Sequence, residues 1–188
     1  MTNPKVTFII GLPGSGKTTY LDKAFYNKID FFPFDDWMGW DVWINDEPPK
    51  NEFNEDSRYN ALIERLSNKE HIVLLSIRFC DHDFLCKSEY YLQSQFPNIE
   101  IKRIYFENNP ENSIANVEYR DKKSGGRYYT TDNGEDVYYG QHHPNMPIPA
   151  FLISLENIKV LSSNYIIPNK YIPVFYPKFE KLNSNEEK

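Results

Sequence analysis

Short runs of apolar, β-branched and aromatic residues recur along the chain, and each run has the length of a buried strand. The first begins at Lys5 and ends at Ile10, directly before a glycine. The predicted strands are residues 5–10, 30–34, 71–77, 99–106 and 159–162. Five strands of this kind predict a core built around one sheet.

The segments between these runs carry apolar residues every three or four positions, which is the spacing of amphipathic helices. One of them starts with Asn109-Pro110-Glu111, a helix-start signal with proline at an early position. The predicted helices are residues 17–26, 55–68, 83–95, 109–120 and 151–155. Alternating strands and helices predict an α/β fold with a mostly parallel five-stranded sheet and helices on both faces.

Two longer segments lack a sustained period. Residues 39–54 have mixed charge and two prolines, and we expect a loop there. Residues 121–149 are rich in Gly, Tyr and Asn, and they predict a lid that extends over about residues 110–149. We predict a single domain over residues 1–182, followed by a disordered polar tail at residues 183–188.

The 188 residues carry a formal charge of -6, with a pI near 5.3. An acidic chain has no global attraction for phosphate backbones, so a nonspecific nucleic-acid binder is disfavoured and nucleic-acid contact would need a local basic patch. Cys80 and Cys86 are too few for a disulfide framework, and the start of the chain lacks the apolar core of a signal peptide. No apolar run is long enough to span a bilayer. We expect a soluble, cytoplasmic protein without a membrane partner.

The strongest motif stands between the first predicted strand and the first predicted helix. Residues 11–18 read GLPGSGKT and match the pattern G-x-x-x-x-G-K-[ST] at every fixed position. Glycines let such a backbone fold around phosphates with its N–H groups inward, and the helix N-terminus adds a positive dipole end. The motif predicts a three-layer P-loop NTPase fold that binds ATP. The predicted nucleotide-binding residues are Gly11, Pro13, Gly14, Ser15, Gly16, Lys17, Thr18 and Thr19.

Within this motif we expect Lys17 to reach the β- and γ-phosphate oxygens, and the Thr18 hydroxyl to take one Mg²⁺ position. A glycine-rich turn that only changes chain direction is disfavoured, because the flanking elements agree with the motif. A GTPase is also disfavoured, because Asn169-Lys170 is not followed by the Asp of N-K-x-D, and Asp36 begins a D-x-x-G match too early in the chain. A small-molecule or nucleic-acid kinase remains.

Residues 6–20, with the core PGSGKTT, and residues 31–36, which read FFPFDD, resemble the 5′-hydroxyl polynucleotide kinase family and the related zeta-toxin-like kinases. The resemblance implies that Asp35 acts as the general base toward the attacking hydroxyl, with Asp36 as the second choice. A carboxylate is suited to this role, because it can orient a hydroxyl for in-line attack. The alternative is that the acidic pair caps a turn or a helix start.

The resemblance continues through residues 106–120, which read FENNPENSIANVEYR. Lid arginines of this family cover the triphosphate, and Arg120 matches one of them, which implies a charge clamp on the transferred phosphoryl oxygens. The other interpretation of Arg120 is a cation that is favourable near a helix C-terminus. Asn116 stands where many relatives carry a second arginine. The candidate replacements for that charge are Lys122, Lys123 and Arg127.

The acceptor side departs from the family. Trp37 and the residues after it are aromatic or uncharged where the family usually has an arginine, which favours a flat acceptor over a polynucleotide backbone. Arg78 follows the third predicted strand, where open α/β sheets place ligands, so it is either a site for a substrate anion or a surface ion pair. The Asp that often holds Mg²⁺ at this strand end is missing. Its candidate replacements are Ser76, Asp81 and Asp83.

These patterns predict an ATP- and Mg²⁺-dependent kinase that transfers the γ-phosphoryl group to a hydroxyl acceptor. A nucleic-acid 5′ end, a nucleoside or nucleotide, and a small metabolite are all open as acceptors. The predicted catalytic residues are Lys17, Asp35 and Arg120, and the predicted acceptor-side residues are Asp36, Trp37 and Arg78. The alternative is an ATP-binding regulatory or interaction protein without turnover, which the missing arginine and the missing Asp would explain.

Overall fold

The computed structural model describes residues 3–25, 31–34, 57–123, 128–130, 134, 136–138 and 155–179. Its strands are β1 (Lys5–Ile10), β2 (Phe31–Phe34), β3 (His71–Ser76), β4 (Glu100–Tyr105), β5 (Tyr128–Thr130) and β6 (Asp136–Tyr138). Its helices are α1 (Lys17–Phe25), α2 (Ser57–Ser67), α3 (His82–Gln95), α4 (Pro110–Lys123) and α5 (Leu155–Asn164). A 3₁₀ turn at Ile77–Cys80 connects β3 to α3.

The main sheet has the strand order β2-β3-β1-β4, and all three pairings are parallel. Ile10, the last residue of β1, lies opposite Ser76 of β3 and Tyr105 of β4. The three strands therefore end at the same edge of the sheet. In open parallel sheets the carboxyl ends of the strands form the edge at which ligands bind, so this edge is the place to look for a site.

Helices cover both faces of this sheet, because β1 is apolar on both sides. Side chains alternate between faces along a strand. Phe8 joins a buried cluster with Leu62 of α2 and Leu85 of α3, whereas Ile9 joins a separate cluster with Leu21 of α1. The sequence prediction of an α/β fold with a parallel, two-sided sheet is confirmed for the described strands.

The predicted strand at residues 159–162 is wrong, because these residues lie within α5. Leu155, Ile158 and Leu161 are spaced for one face of a helix and pack against the core, while Val160 is 52% exposed. The main sheet accordingly has four strands in the described part of the chain. The position beside β4 is taken by one parallel bridge between Phe106 and Val174.

The region predicted as a lid contains more regular structure than expected. Helix α4 continues to Lys123, and β5 pairs with β6 as an antiparallel hairpin in which Tyr128 lies opposite Tyr138. Residues 39–54, 151–154 and 183–188 lie outside the described part of the chain, and with them the predicted loop, most of the predicted helix at 151–155 and the predicted tail. Among the described helices, none combines the length and the apolar character that a bilayer crossing requires.

Candidate functional site

The glycine-rich loop (residues 11–16) connects the end of β1 to the start of α1. Gly14 and Gly16 have φ angles of 74° and 82°, a left-handed conformation that glycine adopts without steric cost. The Ser15 N–H donates to the Leu12 carbonyl at 3.2 Å and closes the tip of the loop. The sequence therefore places glycine where this backbone path requires it.

Two glycines also let neighbouring elements approach the loop closely. A Cβ on Gly11 would lie 2.8 Å from Cβ of Phe106 and 2.8 Å from Oγ of Ser15. A Cβ on Gly14 would lie 2.7 Å from the backbone oxygen of Ser113 in α4. The loop is thus packed against the end of β4 and against α4, and neither contact leaves room for a side chain.

Lys17, the first residue of α1, is 9% exposed. Its Nζ donates to the Gly11 carbonyl at 2.8 Å and to the Leu12 carbonyl at 3.0 Å. An ammonium group has three N–H donors, so these two bonds leave one donor for a ligand. Among the described residues no carboxylate is paired with Lys17. A buried cation without a counter-charge favours an anion beside it.

Ser15 is fully buried, and its Oγ has no hydrogen-bond partner among the described residues. A buried hydroxyl without a partner costs about 1–3 kcal/mol, and most native hydroxyls avoid that cost. The Ser15 hydroxyl lies in the loop, and the Lys17 ammonium lies against its Gly11 and Leu12 carbonyls. The loop therefore presents two polar groups whose hydrogen-bonding capacity is not fully used by the described residues.

Thr18 and Thr19 are exposed in the first turn of α1, whose start is marked by the bond from Tyr20 N–H to the Gly16 carbonyl at 2.9 Å. Mg²⁺ at nucleotide sites needs only one or two protein oxygens, because phosphates and waters supply the rest. The Thr18 hydroxyl satisfies that requirement. The described residues contain no group of three or more His, Cys, Asp or Glu side chains that could hold a metal without such a ligand.

Helix α4 carries a second layer of the site. It starts as the sequence predicted, since Asn109 Oδ1 accepts the Asn112 N–H at 3.0 Å and Pro110 is the first helical residue. Asn116, which is 1% exposed, donates from Nδ2 to the Gly14 carbonyl at 2.9 Å. Asn116, at the position where the family resemblance would place a lid arginine, is therefore a buried support of the loop.

Arg120 is half-buried in α4, four residues after Asn116. Residues four apart share one face of a helix, and this face turns Ser113, Asn116 and Val117 toward Gly14. Arg120 extends the same face by one turn. Its predicted role on the transferred phosphoryl group is compatible with that position and stays a prediction.

Two tyrosines from the C-terminal part of the chain support the strand ends. The Tyr165 hydroxyl donates to the Phe106 carbonyl at 2.6 Å and lies 3.0 Å from the Ile10 carbonyl, the last of β1. The Tyr176 hydroxyl lies 2.6 Å from Ser113 Oγ. Burial raises the pKa of Tyr165, and it raises the pKa of Tyr176 to about 12. Both hydroxyls are therefore protonated donors over the physiological range.

The end of β3 is built from side chains that satisfy their own turn. Ser76 Oγ accepts the Arg78 N–H at 3.1 Å, and Asp81 Oδ1 accepts the Asp83 N–H at 2.9 Å and caps α3. The Arg78 guanidinium lies 4.4 Å from the centroid of the Phe84 ring. Ser76 and Asp81, two candidates for a metal-holding residue, are used as caps, and Arg78 is stacked as a cation on an aromatic ring.

Three predicted site residues, Asp35, Asp36 and Trp37, lie outside the described residues. Strand β2 ends at Phe34, opposite Leu74 of β3, one residue before Asp35. The chain therefore leaves β2 toward the same sheet edge as the glycine-rich loop. The placements of Asp35, Asp36 and Trp37 are not described, so their roles stay predictions.

Comparison with known proteins identifies the fold and no sequence family. No protein-family model matches the chain, and no curated protein matches it. A candidate kinase from Chloroflexus aurantiacus, known from a crystal structure, superposes with a TM-score of 0.51 at 13% identity and covers 100% of this chain and 94% of that one. The chain has a kinase-like fold.

Two structures of a Pnkp1/Rnl/Hen1 complex, one of them described as an RNA repair complex, are also similar. The first superposes with a TM-score of 0.49 at 14% identity and covers 95% of this chain. The second superposes with a TM-score of 0.38 at 15% identity and covers 57% of this chain. The chain spans 49% and 38% of the length of these two proteins.

Sequence reasoning missed the residues that support the glycine-rich loop and the elements beside it: Asn116 bonds to the loop, Tyr165 to the ends of β1 and β4, and Tyr176 to α4. Asn116 was interpreted as a missing charge, and neither Tyr165 nor Tyr176 was singled out. Their partners are distant in sequence, with 102 residues between Asn116 and Gly14 and 155 between Tyr165 and Ile10. No local pattern contains such a contact. The available signal in the sequence was the amide of Asn116 itself. It is an uncharged polar side chain on a helix face whose other residues favour burial.

Proposed function

We propose that this chain is an ATP-dependent phosphotransferase that moves the γ-phosphoryl group to a hydroxyl acceptor. One observation carries the proposal. The Lys17 ammonium is buried in the glycine-rich loop without a carboxylate partner in the described part of the chain, beside a Ser15 hydroxyl that has no partner there. A triphosphate tail supplies both the negative charge and the acceptor oxygens that these two groups lack.

The residues of the loop divide the work of binding. Lys17 donates its remaining N–H to a phosphate oxygen, and the main-chain N–H groups at the start of α1 face the same charge. Thr18 offers its hydroxyl to Mg²⁺, which neutralises charge on the β- and γ-phosphate oxygens when it is bound. Thr19 follows in the same helical turn. These interactions hold the triphosphate before any acceptor arrives.

Transfer itself needs a base and a cation on the other side of the γ-phosphate. Asp35 takes the proton of the acceptor hydroxyl while that oxygen bonds to the γ-phosphorus, and the bond from that phosphorus to the bridging oxygen of ADP breaks. Arg120, on the face of α4 that contacts the loop, stabilises charge on the transferred oxygens. Asp36, Trp37 and Arg78 contact the acceptor in this proposal.

Nucleotide binding is tested first. Lys17→Ala is expected to weaken Mg-ATP binding about 10- to 150-fold, the loss of one charge-assisted hydrogen bond. Lys23→Ala is the matched control, because Lys23 is an exposed lysine in the last turn of the same helix. Calorimetric titration with Mg-ATP and Mg-GTP measures both. Equal affinities for the wild type and Lys17→Ala would contradict the proposed site.

Turnover is tested with labelled ATP and a panel of acceptors: 5′-hydroxyl oligonucleotides, nucleosides and small alcohols. Asp35→Asn is expected to keep Mg-ATP affinity and abolish transfer. Arg120→Ala is expected to keep affinity within about threefold and to lower the rate about 10²- to 10³-fold. ATP binding by the wild type without transfer to any acceptor would favour the regulatory or interaction protein instead.

A further inference from the structure

We propose that Asn116 is a positioning residue for the glycine-rich loop, and that through it residues 177–179 set the affinity of the loop for a triphosphate. The inference rests on the proposed function, because it concerns the same phosphate site. Asn116 is 1% exposed and lies in α4, more than a hundred residues after the loop. Its amide connects three segments of the chain: α4, the glycine-rich loop and residues 177–179.

Each polar atom of this amide has a defined partner. Nδ2 donates to the Gly14 carbonyl at 2.9 Å and to the Pro177 carbonyl at 3.2 Å, and Oδ1 accepts the Phe179 N–H at 2.6 Å. A primary amide has two N–H donors and one carbonyl oxygen, so both donors are used and the acceptor is occupied. An arginine at this position would offer no acceptor to Phe179, and a carboxylate would offer no donor to Gly14.

The bond to Gly14 orients a donor inside the loop. A trans peptide unit is planar, and its C=O and the following N–H point in opposite directions. With the Gly14 carbonyl held toward α4, the Ser15 N–H points away from α4, where it meets the Leu12 carbonyl at 3.2 Å. Asn116 thus fixes the direction of a main-chain N–H in the part of the loop where a phosphate oxygen would compete for it.

Residues 177–179 approach the loop at a second point. The ring of Phe179 lies 4.0 Å from the position that a Cβ on Gly16 would occupy. The segment therefore lies beside the two glycines of the loop that have positive φ angles: it reaches Gly14 through Asn116, and the Phe179 ring lies near Gly16. Coupling between two sites is reciprocal, so if residues 177–179 set the affinity of the loop, a ligand bound at the loop in turn stabilises residues 177–179.

Tyr176, in the C-terminal segment, provides a matched control, because it bonds to the same helix that Asn116 occupies. The Tyr176 hydroxyl ties the same C-terminal segment to α4 through Ser113 Oγ at 2.6 Å and the Asn109 carbonyl at 2.8 Å. Neither bond reaches the loop. Tyr176→Phe removes a buried anchor between the two elements without changing the contact to Gly14, so it reports what loosening the segment does by itself.

The first experiment compares Asn116→Asp with Tyr176→Phe by calorimetric titration with Mg-ATP, with the wild type in parallel. At pH 8 we expect Asn116→Asp to bind about tenfold more weakly, and Tyr176→Phe to bind within twofold of the wild type. At pH 5.5 the deficit of N116D should narrow, because burial and the facing carbonyl groups of Gly14 and Pro177 raise the pKa of the new carboxyl, and its protonated form donates one O–H again. Equal losses in the two variants, or a deficit of N116D that is the same at both pH values, would overturn the proposal.

The second experiment needs no variant, and it decides the matter if Asn116→Asp does not fold. Amide hydrogen exchange of the wild type is measured with and without magnesium and inorganic triphosphate, a ligand that has no base or ribose to contact Phe179. We expect the Phe179 N–H to exchange at least fivefold more slowly with the ligand. The Asp81 N–H, bonded to the Arg78 carbonyl after β3, should not change.

The outcomes separate this inference from the proposed function. Binding of triphosphate without slower exchange at Phe179 overturns the positioning role and leaves the phosphate site standing. Failure of the wild type to bind Mg-ATP and triphosphate overturns the proposed function, and the positioning role with it.

Discussion

Strands β1 and β3 are neighbours in the sheet and end at Ile10 and Ser76, which are register partners. The segments that follow these two strand ends, called here the β1 exit and the β3 exit, use their polar side chains in opposite ways. After β3, Ser76 and Asp81 satisfy backbone N–H groups of their own turn. After β1, the Ser15 hydroxyl has no partner among the described residues and Lys17 keeps a donor. The comparison teaches that a polar residue at a strand end indicates a ligand only when the chain does not already use it.

The two exits differ in their cations as well. Arg78 lies over the Phe84 ring at 4.4 Å, so part of its surface is already covered by an aromatic face. Lys17 is held by two carbonyl groups, which orient an ammonium without neutralising its charge. The buried cation without a counter-charge among the described residues therefore lies at the β1 exit, whereas Arg78 is partly exposed. The predictions below are designed to break or sharpen this difference.

The largest effect on stability is expected at Gly14. Gly14→Ala places a Cβ 2.7 Å from a backbone oxygen of α4 at a φ of 74°, so we expect a loss of more than about 2 kcal/mol in the free energy of unfolding. Gly134→Ala is the control. The φ of Gly134 is 81° and no described atom lies within 4 Å of the added Cβ, so only the left-handed conformation should lower the free energy of unfolding, by about 1 kcal/mol. Urea denaturation measures both, and equal losses would mean that α4 does not press on the loop.

Alkaline pH should weaken the supports of the β1 exit. Burial raises the pKa of Tyr176 to about 12 in the folded state, against 10.0 in the unfolded chain. Its contribution is therefore complete below pH 10 and is lost as the pH rises toward 12, at about 1.4 kcal/mol per pH unit. Tyr176→Phe should reduce this slope. Unfolding curves of the wild type and Tyr176→Phe between pH 9 and 11.5 measure the slope, and equal slopes in the two proteins would contradict the assignment.

The smallest effects should differ in sign between the two exits. Ser15→Ala removes a buried hydroxyl without a partner, so we expect stability to stay unchanged or rise by up to about 1 kcal/mol, while Mg-ATP affinity falls about fivefold. Ser76→Ala removes a cap, so stability should fall by about 1 kcal/mol with no change in affinity. Thermal unfolding and titration of both variants check this. A stability loss in Ser15→Ala would show that its hydroxyl has a protein partner.

Most of the described elements could be predicted from local patterns. The apolar run of β1 and the helical spacing of α2 and α3 fix those elements within one or two residues, because burial on both faces or on one stripe leaves a direct record in the sequence. The strand predicted at residues 159–162 failed for a related reason. A run of four residues is too short to separate a strand from part of a helix, and the apolar positions that settle it extend from Leu155 to Tyr165.

By itself the sequence determined the glycine-rich loop, since the positive φ angles at Gly14 and Gly16 and the close approach at Gly11 are local requirements that glycine meets. Only the tertiary structure decided what holds that loop. Asn116 bonds to the loop across a sequence separation of 102, and Tyr165 bonds to Ile10, directly before the loop, across a separation of 155. Periodicity records which face of an element is buried, and it carries no information on which distant carbonyl a buried amide or hydroxyl will meet, because that depends on how the finished layers are stacked.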